Sequence, residues 1–211
     1  MPYRISLLVL VLVVVGGLVA AFAVADDEAP AVPAAPATGV EVGNIASDFT
    51  LKDQSGSDVR LNDLRGKIVV LEWFNSECPI VQRHYKAGTM TTLAKEWADK
   101  NVVWVAINST HTFNIEKNKA AAEKWGIARL LDDHDGAVGH LYKATRTPEM
   151  VIIDADGKIR YRGAIDSDRF GRDEKPTNYV RQALEELAAG KEVSVQSATP
   201  YGCSVKYRAE R

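Results

Sequence analysis

Lys67-Ile68-Val69-Val70-Leu71-Glu72-Trp73-Phe74-Asn75-Ser76-Glu77-Cys78-Pro79 is the stretch on which the fold turns. Lys67 to Phe74 is a β-branched and aromatic run of the kind that fills the buried middle of a parallel sheet. Pro79 fits the first turn of a helix, where its missing N–H would have had no partner. Beyond it Val81, Tyr85, Met90, Leu93 and Trp97 recur at roughly helical spacing, so Cys78 to Lys100 reads as one crossover helix. Val102 to Ile107 is a second apolar strand, and strand, helix and parallel strand make a right-handed βαβ unit. Cys78 therefore stands at a helix amino terminus, where unsatisfied N–H groups and the helix dipole favour thiolate. Glu77 opposes this, so the expectation is a moderately lowered pKa on a thiol open to encounter. The competing reading is a buried cysteine acting as a small apolar residue; its place ahead of the helix's core stripe weighs against that.

Working outward, Phe49-Thr50-Leu51 and Val59-Arg60-Leu61 flank Gln54-Ser55-Gly56-Ser57 as an edge hairpin. Helices are expected over Ile115–Trp125, ended by Gly126, over Asp135–Tyr142, and over Thr177–Ala189, stopped by Gly190. Met150–Asp154 and Ile159–Arg162 surround Asp154-Ala155-Asp156-Gly157, a hairpin signal. The order predicts an α/β fold, a mixed central sheet with helices on both faces, with an N-terminal β-hairpin extension and a C-terminal tail.

The 211 residues are 46% hydrophobic and 26% charged, enough for one sizeable core. Lys and Arg total 26 against 28 Asp and Glu, a formal charge of -2 that supplies no broad positive field for nucleic acid. Two cysteines exclude a disulfide-dense scaffold, a four-thiolate zinc site and an iron–sulfur cluster within one chain. Sulfur chemistry must use Cys78, Cys203 or both.

Ile5 to Ala25 is apolar or small except for Ser6, with Arg4 before it and Asp26, Asp27 and Glu28 after it, which reads as an export signal. Ala21-Phe22-Ala23 and Ala23-Val24-Ala25 offer small-x-small cleavage patterns, yet about 20 apolar residues also suffice to span a bilayer, so a removed leader and a retained anchor both stand. Residues 26–40 form a Pro/Ala-rich linker. The folded domain is expected over 41–190, with 191–211 as a tail carrying Cys203.

Gly43-Asn44-Ile45-Ala46-Ser47-Asp48-Phe49-Thr50-Leu51, Leu61-Asn62-Asp63-Leu64-Arg65-Gly66-Lys67 and Trp73-Phe74-Asn75-Ser76-Glu77-Cys78-Pro79 resemble the thioredoxin-fold redoxins of the alkyl hydroperoxide reductase and thiol-specific antioxidant (AhpC/TSA) family, over roughly 41 to 190. A peroxiredoxin-like exported subgroup, with an Asn-x-x-Cys-Pro element and a terminal Gly-Cys-Ser segment, is the best match. The resemblance implies a thioredoxin-like fold. Phe74, four residues before Cys78, aligns Cys78 with the first cysteine of a thioredoxin Cys-x-x-Cys, and Val81 takes the second cysteine's place. Thr147-Pro148 is similar to the loop whose cis-proline packs beside that active site. Two departures matter: Asn75 stands where the peroxidase branch has Thr or Ser, and Pro148, rather than Arg146, stands where it has arginine.

What this implies is an exported thiol oxidoreductase in which Cys78 attacks a disulfide or peroxide. Pro79, Asn75, Thr147, Pro148 and Arg146 are the supporting residues, Arg146 through its charge near Pro148. The partners are an external thiol or disulfide reductant and a peroxide or protein disulfide substrate. Neither cofactor nor metal is called for, and the membrane is met only through the N-terminal segment. Cys203, in Tyr201-Gly202-Cys203-Ser204, is a resolving partner, half of a permanent staple, or unpaired with Cys78. About 13 extended residues from Gly190 span up to ~40 Å, so reach permits a bond, and a staple would stabilise the fold by roughly 4–5 kcal/mol in the chain-entropy model. Asn108, Thr110 and His111 follow a parallel strand and belong at the same sheet edge as Cys78. His84 lies about 240° round the helix from Cys78 and is not expected to face it; His134 and His140 lack ligand spacing and read as surface residues. The alternative is a non-enzymatic metal- or partner-binding module. Copper chaperones of this fold use Cys-x-x-x-Cys plus a distant His, but Gln82 occupies the second thiol's place here.

Overall fold

The computed structural model describes residues 38–209. The leader or anchor over 1–25 and most of the linker lie outside the described residues. Within them no helix is long and apolar enough to cross a membrane.

In chain order the strands and helices are β1 (Thr38–Gly39), β2 (Ile45–Ala46), β3 (Thr50–Asp53), β4 (Asp58–Arg60), β5 (Ile68–Trp73), α1 (Pro79–Lys86), α2 (Thr89–Ala98), β6 (Val102–Asn108), α3 (Ile115–Trp125), β7 (Leu130–Asp132), α4 (Ala137–Leu141), β8 (Arg146–Thr147), β9 (Glu149–Ile153), β10 (Ile159–Gly163), α5 (Tyr179–Ala188), β11 (Ser197–Ala198) and β12 (Cys203–Ser204). Eight strands form the main sheet in the order β11-β10-β9-β5-β6-β7-β3-β4. Its centre, β5, β6 and β7, is parallel; β9 runs antiparallel to β5, and β4 closes one edge. The expected hairpin over 49–61 is β3–β4, and the one around Asp156-Gly157 is β9–β10.

Both faces of β5 are buried, which is why its sequence carries no polar alternation. Val70 and Phe74 point into an apolar cluster shared with α1, α2, α3 and α5. Val69, Leu71 and Trp73 point into a second cluster, covered by α4 and by the segment around Val40, Phe49 and Leu61.

The single crossover helix expected from Cys78 to Lys100 is two helices. Gly88 adopts φ +75, a left-handed conformation, and ends one helix where it caps the next. The break was written in the apolar spacing, which steps by five from Tyr85 to Met90 where a continuous helix needs three or four. It lets α2 turn and bury Met90, Leu93 and Trp97.

After α5 the tail comes back. Strand β11 extends the sheet alongside β10, and β12 then pairs antiparallel with β8, placing Cys203 opposite Thr147.

Candidate active site

Asn75 shapes the turn that delivers Cys78. Its Oδ1 accepts from the Glu77 N–H at 2.7 Å and its carbonyl from the Cys78 N–H at 3.1 Å. Cys78 is the N-cap of α1 and Pro79 its first residue, while the Gln82 amide ties the helix back to the Ser76 carbonyl at 2.8 Å. The Thr147–Pro148 bond is cis, as expected. As a thiol, Cys78 donates to the Thr147 carbonyl at 3.1 Å.

Cys203 arrives on β12. Both cysteines are free; Cys203 stands opposite Thr147, whose carbonyl accepts from Cys78, and packs against the apolar cluster that holds Cys78. Burial pushes the Cys78 thiol up, but donation from the Cys203 thiol, the N–H groups of Val81 and Cys203 and the Thr147 side chain outweighs it, and the pKa falls below its ordinary value. Cys203 moves the opposite way, to about 11, through burial, its hydrogen bond to Cys78 and the charge there, with Lys206 opposing.

The expectation of a thiol open to encounter is corrected: Cys78 is only 1% exposed. It lies in the larger apolar cluster, which Tyr201 joins and against which Cys203 packs, contacts that no local pattern at Cys78 announces.

Arg146 joins the site only at its margin. Its guanidinium donates to the Thr145 carbonyl and to Ser204 Oγ, both at 3.2 Å, and so braces the tail. Asn108 bonds Asn118 on α3 at 2.7 Å and accepts from the Thr110 N–H at 3.1 Å, which makes these two part of the β6–α3 connection. His111 meets the tail through its backbone, donating to the Lys206 carbonyl at 3.0 Å. His134 and His140 are exposed.

Glu72, His84 and Tyr201 hold places that the sequence reading missed. Glu72, fully buried on β5, accepts at Oε2 from the Tyr85 hydroxyl at 3.0 Å and the Trp104 indole at 2.8 Å, while Oε1 has no partner. Burial pushes its pKa up to about 7 against those two bonds. Its signal was present, a lone carboxylate in an apolar run. His84, on α1, faces neither solvent nor Cys78 but the Tyr201 hydroxyl of the tail at 3.1 Å. A contact between residues 117 apart leaves no local signature.

The AhpC/TSA family profile matches residues 42–162, which carry Cys78, the cis-proline loop and the parallel core of the sheet. The chain belongs to the AhpC/TSA family. Among relatives of this AhpC/TSA protein, the thiol-disulfide oxidoreductase ResA of Geobacillus thermodenitrificans is 31% identical over 125 residues, 58% of this chain and 69% of ResA. The thioredoxin-like protein YneN of Bacillus subtilis is 34% identical over 124 residues, 58% of this chain and 71% of YneN. An uncharacterized conserved protein from Geobacillus kaustophilus, of known crystal structure, is 30% identical with a TM-score of 0.74 over 82% of this chain and 95% of its own. The fold is thioredoxin-like and the protein is a thiol oxidoreductase.

Proposed function

We propose that the chain is an exported two-cysteine thiol–disulfide exchange enzyme. The observation that carries this reading is the placement of two free cysteines at one site, Cys203 standing across the β12–β8 pairing from Thr147, whose carbonyl accepts from Cys78 Sγ at 3.1 Å. Cys78, the more acidic, attacks a disulfide R–S–S–R′; the new bond is Cys78–S–S–R, and R′–S⁻ leaves and takes a proton. Capping Cys78 removes the negative charge and the hydrogen-bond acceptor that had raised Cys203, so its proton is released more readily. Cys203 then attacks the Cys78 sulfur, R–S⁻ leaves, and a Cys78–Cys203 disulfide remains. The substrate has gained the two electrons the cysteine pair lost, and an external dithiol returns them. Thr147, Pro148, Pro79 and Asn75 fix the geometry. Export is supported by the Ile5–Ala25 run, and disulfide exchange by the name of the ResA relative.

The burial of Cys78 favours a second substrate for the same pair, because a small peroxide reaches a covered sulfur more readily than a protein disulfide does. Attack on ROOH expels RO⁻, which is protonated to ROH, and leaves a Cys78 sulfenic acid; Cys203 then displaces its hydroxyl as water. Consumption of oxidised glutathione and of hydrogen peroxide by the full chain, with dithiothreitol as reductant, tests both. Turnover of either that disappears in Cys78→Ser is the expected result, and turnover of neither above the Cys78→Ser level contradicts it.

A further inference from the structure

The tail is held to the domain by short strand pairings and by hydrogen bonds such as those from the His111 N–H to the Lys206 carbonyl, from the Val205 N–H to the Thr145 carbonyl and from the Tyr207 hydroxyl to the Ala144 carbonyl. Strands β11 and β12 are two residues each, and between Gly190 and Ala209 only Val193 and Tyr201 are buried side chains. Tyr201 stands two residues before Cys203. Its hydroxyl donates to Asp166 Oδ1 and lies 3.1 Å from His84 Nε2, while His84 Nδ1 is 3.9 Å from Asp166 Oδ2. All three side chains are at least nine-tenths buried. The Arg83 guanidinium lies 5.9 Å from the centre of the Tyr201 ring.

The cluster joins the two segments that carry the sulfurs. His84 is on α1, whose amino terminus is Cys78; Tyr201 is on the strand-and-turn segment that ends in Cys203; Asp166 belongs to the connection between β10 and α5. Between anchor and thiol lies Gly202, at φ +116 and so close to the cis-proline loop that a Cβ would collide with the Thr147 carbonyl oxygen. With one end of this short link fixed at Tyr201 and the other flush against Thr147, Cys203 has little freedom left. A buried hydroxyl that satisfies a buried carboxylate makes the anchor specific, because an unanchored tail leaves Asp166 and His84 short of a partner.

We propose that Tyr201, seated on His84 and Asp166, is the positioning residue that holds Cys203 against Cys78 and so governs resolution of the mixed disulfide. The inference rests on the reading of Cys203 as the resolving thiol. In the step it governs, the Cys203 thiolate forms the bond to the Cys78 sulfur, the Cys78–S–S–R bond breaks, and R–S⁻ leaves and is protonated. Because the same tail packs against the cluster that holds Cys78, the anchor has opposite effects on the two halves of the cycle: it hinders the first attack and speeds the second.

The test uses the full chain and oxidised glutathione, with acid quenching and mass analysis of the trapped species. Loss of the Tyr201 hydroxyl in Tyr201→Phe is expected to slow conversion of the Cys78–glutathione adduct to the Cys78–Cys203 disulfide about tenfold, a change of about 1.4 kcal/mol. First attack, measured in the Cys203→Ser background, is expected to become faster with the same substitution. His84→Leu, which removes the other partner of the hydroxyl, is expected to move both steps in the same directions. Equal resolution rates in wild type and both variants overturn the anchor while leaving the cysteine pair intact. So does slowing of both steps together, the mark of a general loss of structure. A wild type that accumulates the glutathione adduct and forms no internal disulfide overturns the resolving role of Cys203, and the anchor with it.

Discussion

The segment that carries Cys78 is set in the core, with Phe74, Cys78, Val81 and Tyr85 all in the larger apolar cluster; the segment that carries Cys203 crosses the surface and sends only Val193 and Tyr201 fully inside. The first is bound by a helix and a six-residue strand, the second by two-residue pairings, a stacked His140–Tyr207 contact at 4.0 Å and single hydrogen bonds. Segments with few buried contacts open at lower cost than the domain as a whole. On the proposed mechanism the attacking sulfur belongs to the half built on a helix and a long strand, and the resolving sulfur to the half built on two-residue strands. The proposed mechanism requires the tail to open for a disulfide substrate to reach Cys78.

Replacing the attacking sulfur should have the largest effect. Cys78→Ser is expected to lower steady-state turnover by roughly 10³-fold or more, as loss of a nucleophile does, and residual turnover near wild type would break the distinction between the halves. Beneath the attacking half, Glu72 should dominate stability against pH. Its folded pKa, about 7, is raised above the ordinary 4.5, so the unfolded chain gives up this proton first as pH rises. The stability associated with the protonated acid is complete below 4.5 and is lost on the way to about 7. The full swing is about 3 kcal/mol. Urea midpoints at acid and mildly alkaline pH should show this slope in wild type and not in Glu72→Gln; an identical slope in both would rule out Glu72 as its source.

The resolving half should respond more weakly. In Cys203→Ser the mixed disulfide waits for an external thiol, and turnover should fall about 10- to 100-fold at millimolar reductant, since an internal thiol acts at a higher effective concentration. Cys203→Ala, which leaves no side-chain donor at that position, should raise the Cys78 pKa, read from thiolate absorbance. Gly202→Ala, at φ +116 against the Thr147 oxygen, should free the strap at about 2 kcal/mol and speed alkylation of Cys78 roughly 30-fold, with the thermal midpoint of the domain little changed. Arg146→Ala should alter turnover by about twofold or less, because its guanidinium braces Ser204 and reaches neither sulfur; a larger loss would give this arginine a direct part in the chemistry.

The attacking half was largely legible. The apolar run before Cys78, Pro79 after it and the second run at Val102 dictated the βαβ unit, and they placed the thiol at a helix amino terminus. The break at Gly88 was recorded in a five-residue apolar step that a single-helix reading passed over. The tail was legible only as a matter of reach. Two-residue strands carry no periodicity, and the partners of Tyr201 and Cys203 come from sequence-distant elements, so neither the pairing of β12 with β8 nor the burial of Cys78 left a local trace. Glu72 lay in plain view inside the deciding stretch, but only its neighbours Tyr85 and Trp104 disclose that it is held dry.

Where the electrons rest after one turnover decides whether Cys203 resolves Cys78. Reduced full-length protein mixed with one equivalent of oxidised glutathione, quenched in acid, alkylated and mapped by peptide mass, should yield a cross-linked peptide pair joining Cys78 to Cys203, with both glutathiones released as thiols. Glutathione retained on Cys78 beside an alkylated Cys203, or both cysteines alkylated with the oxidant unspent, would contradict the resolving role of Cys203.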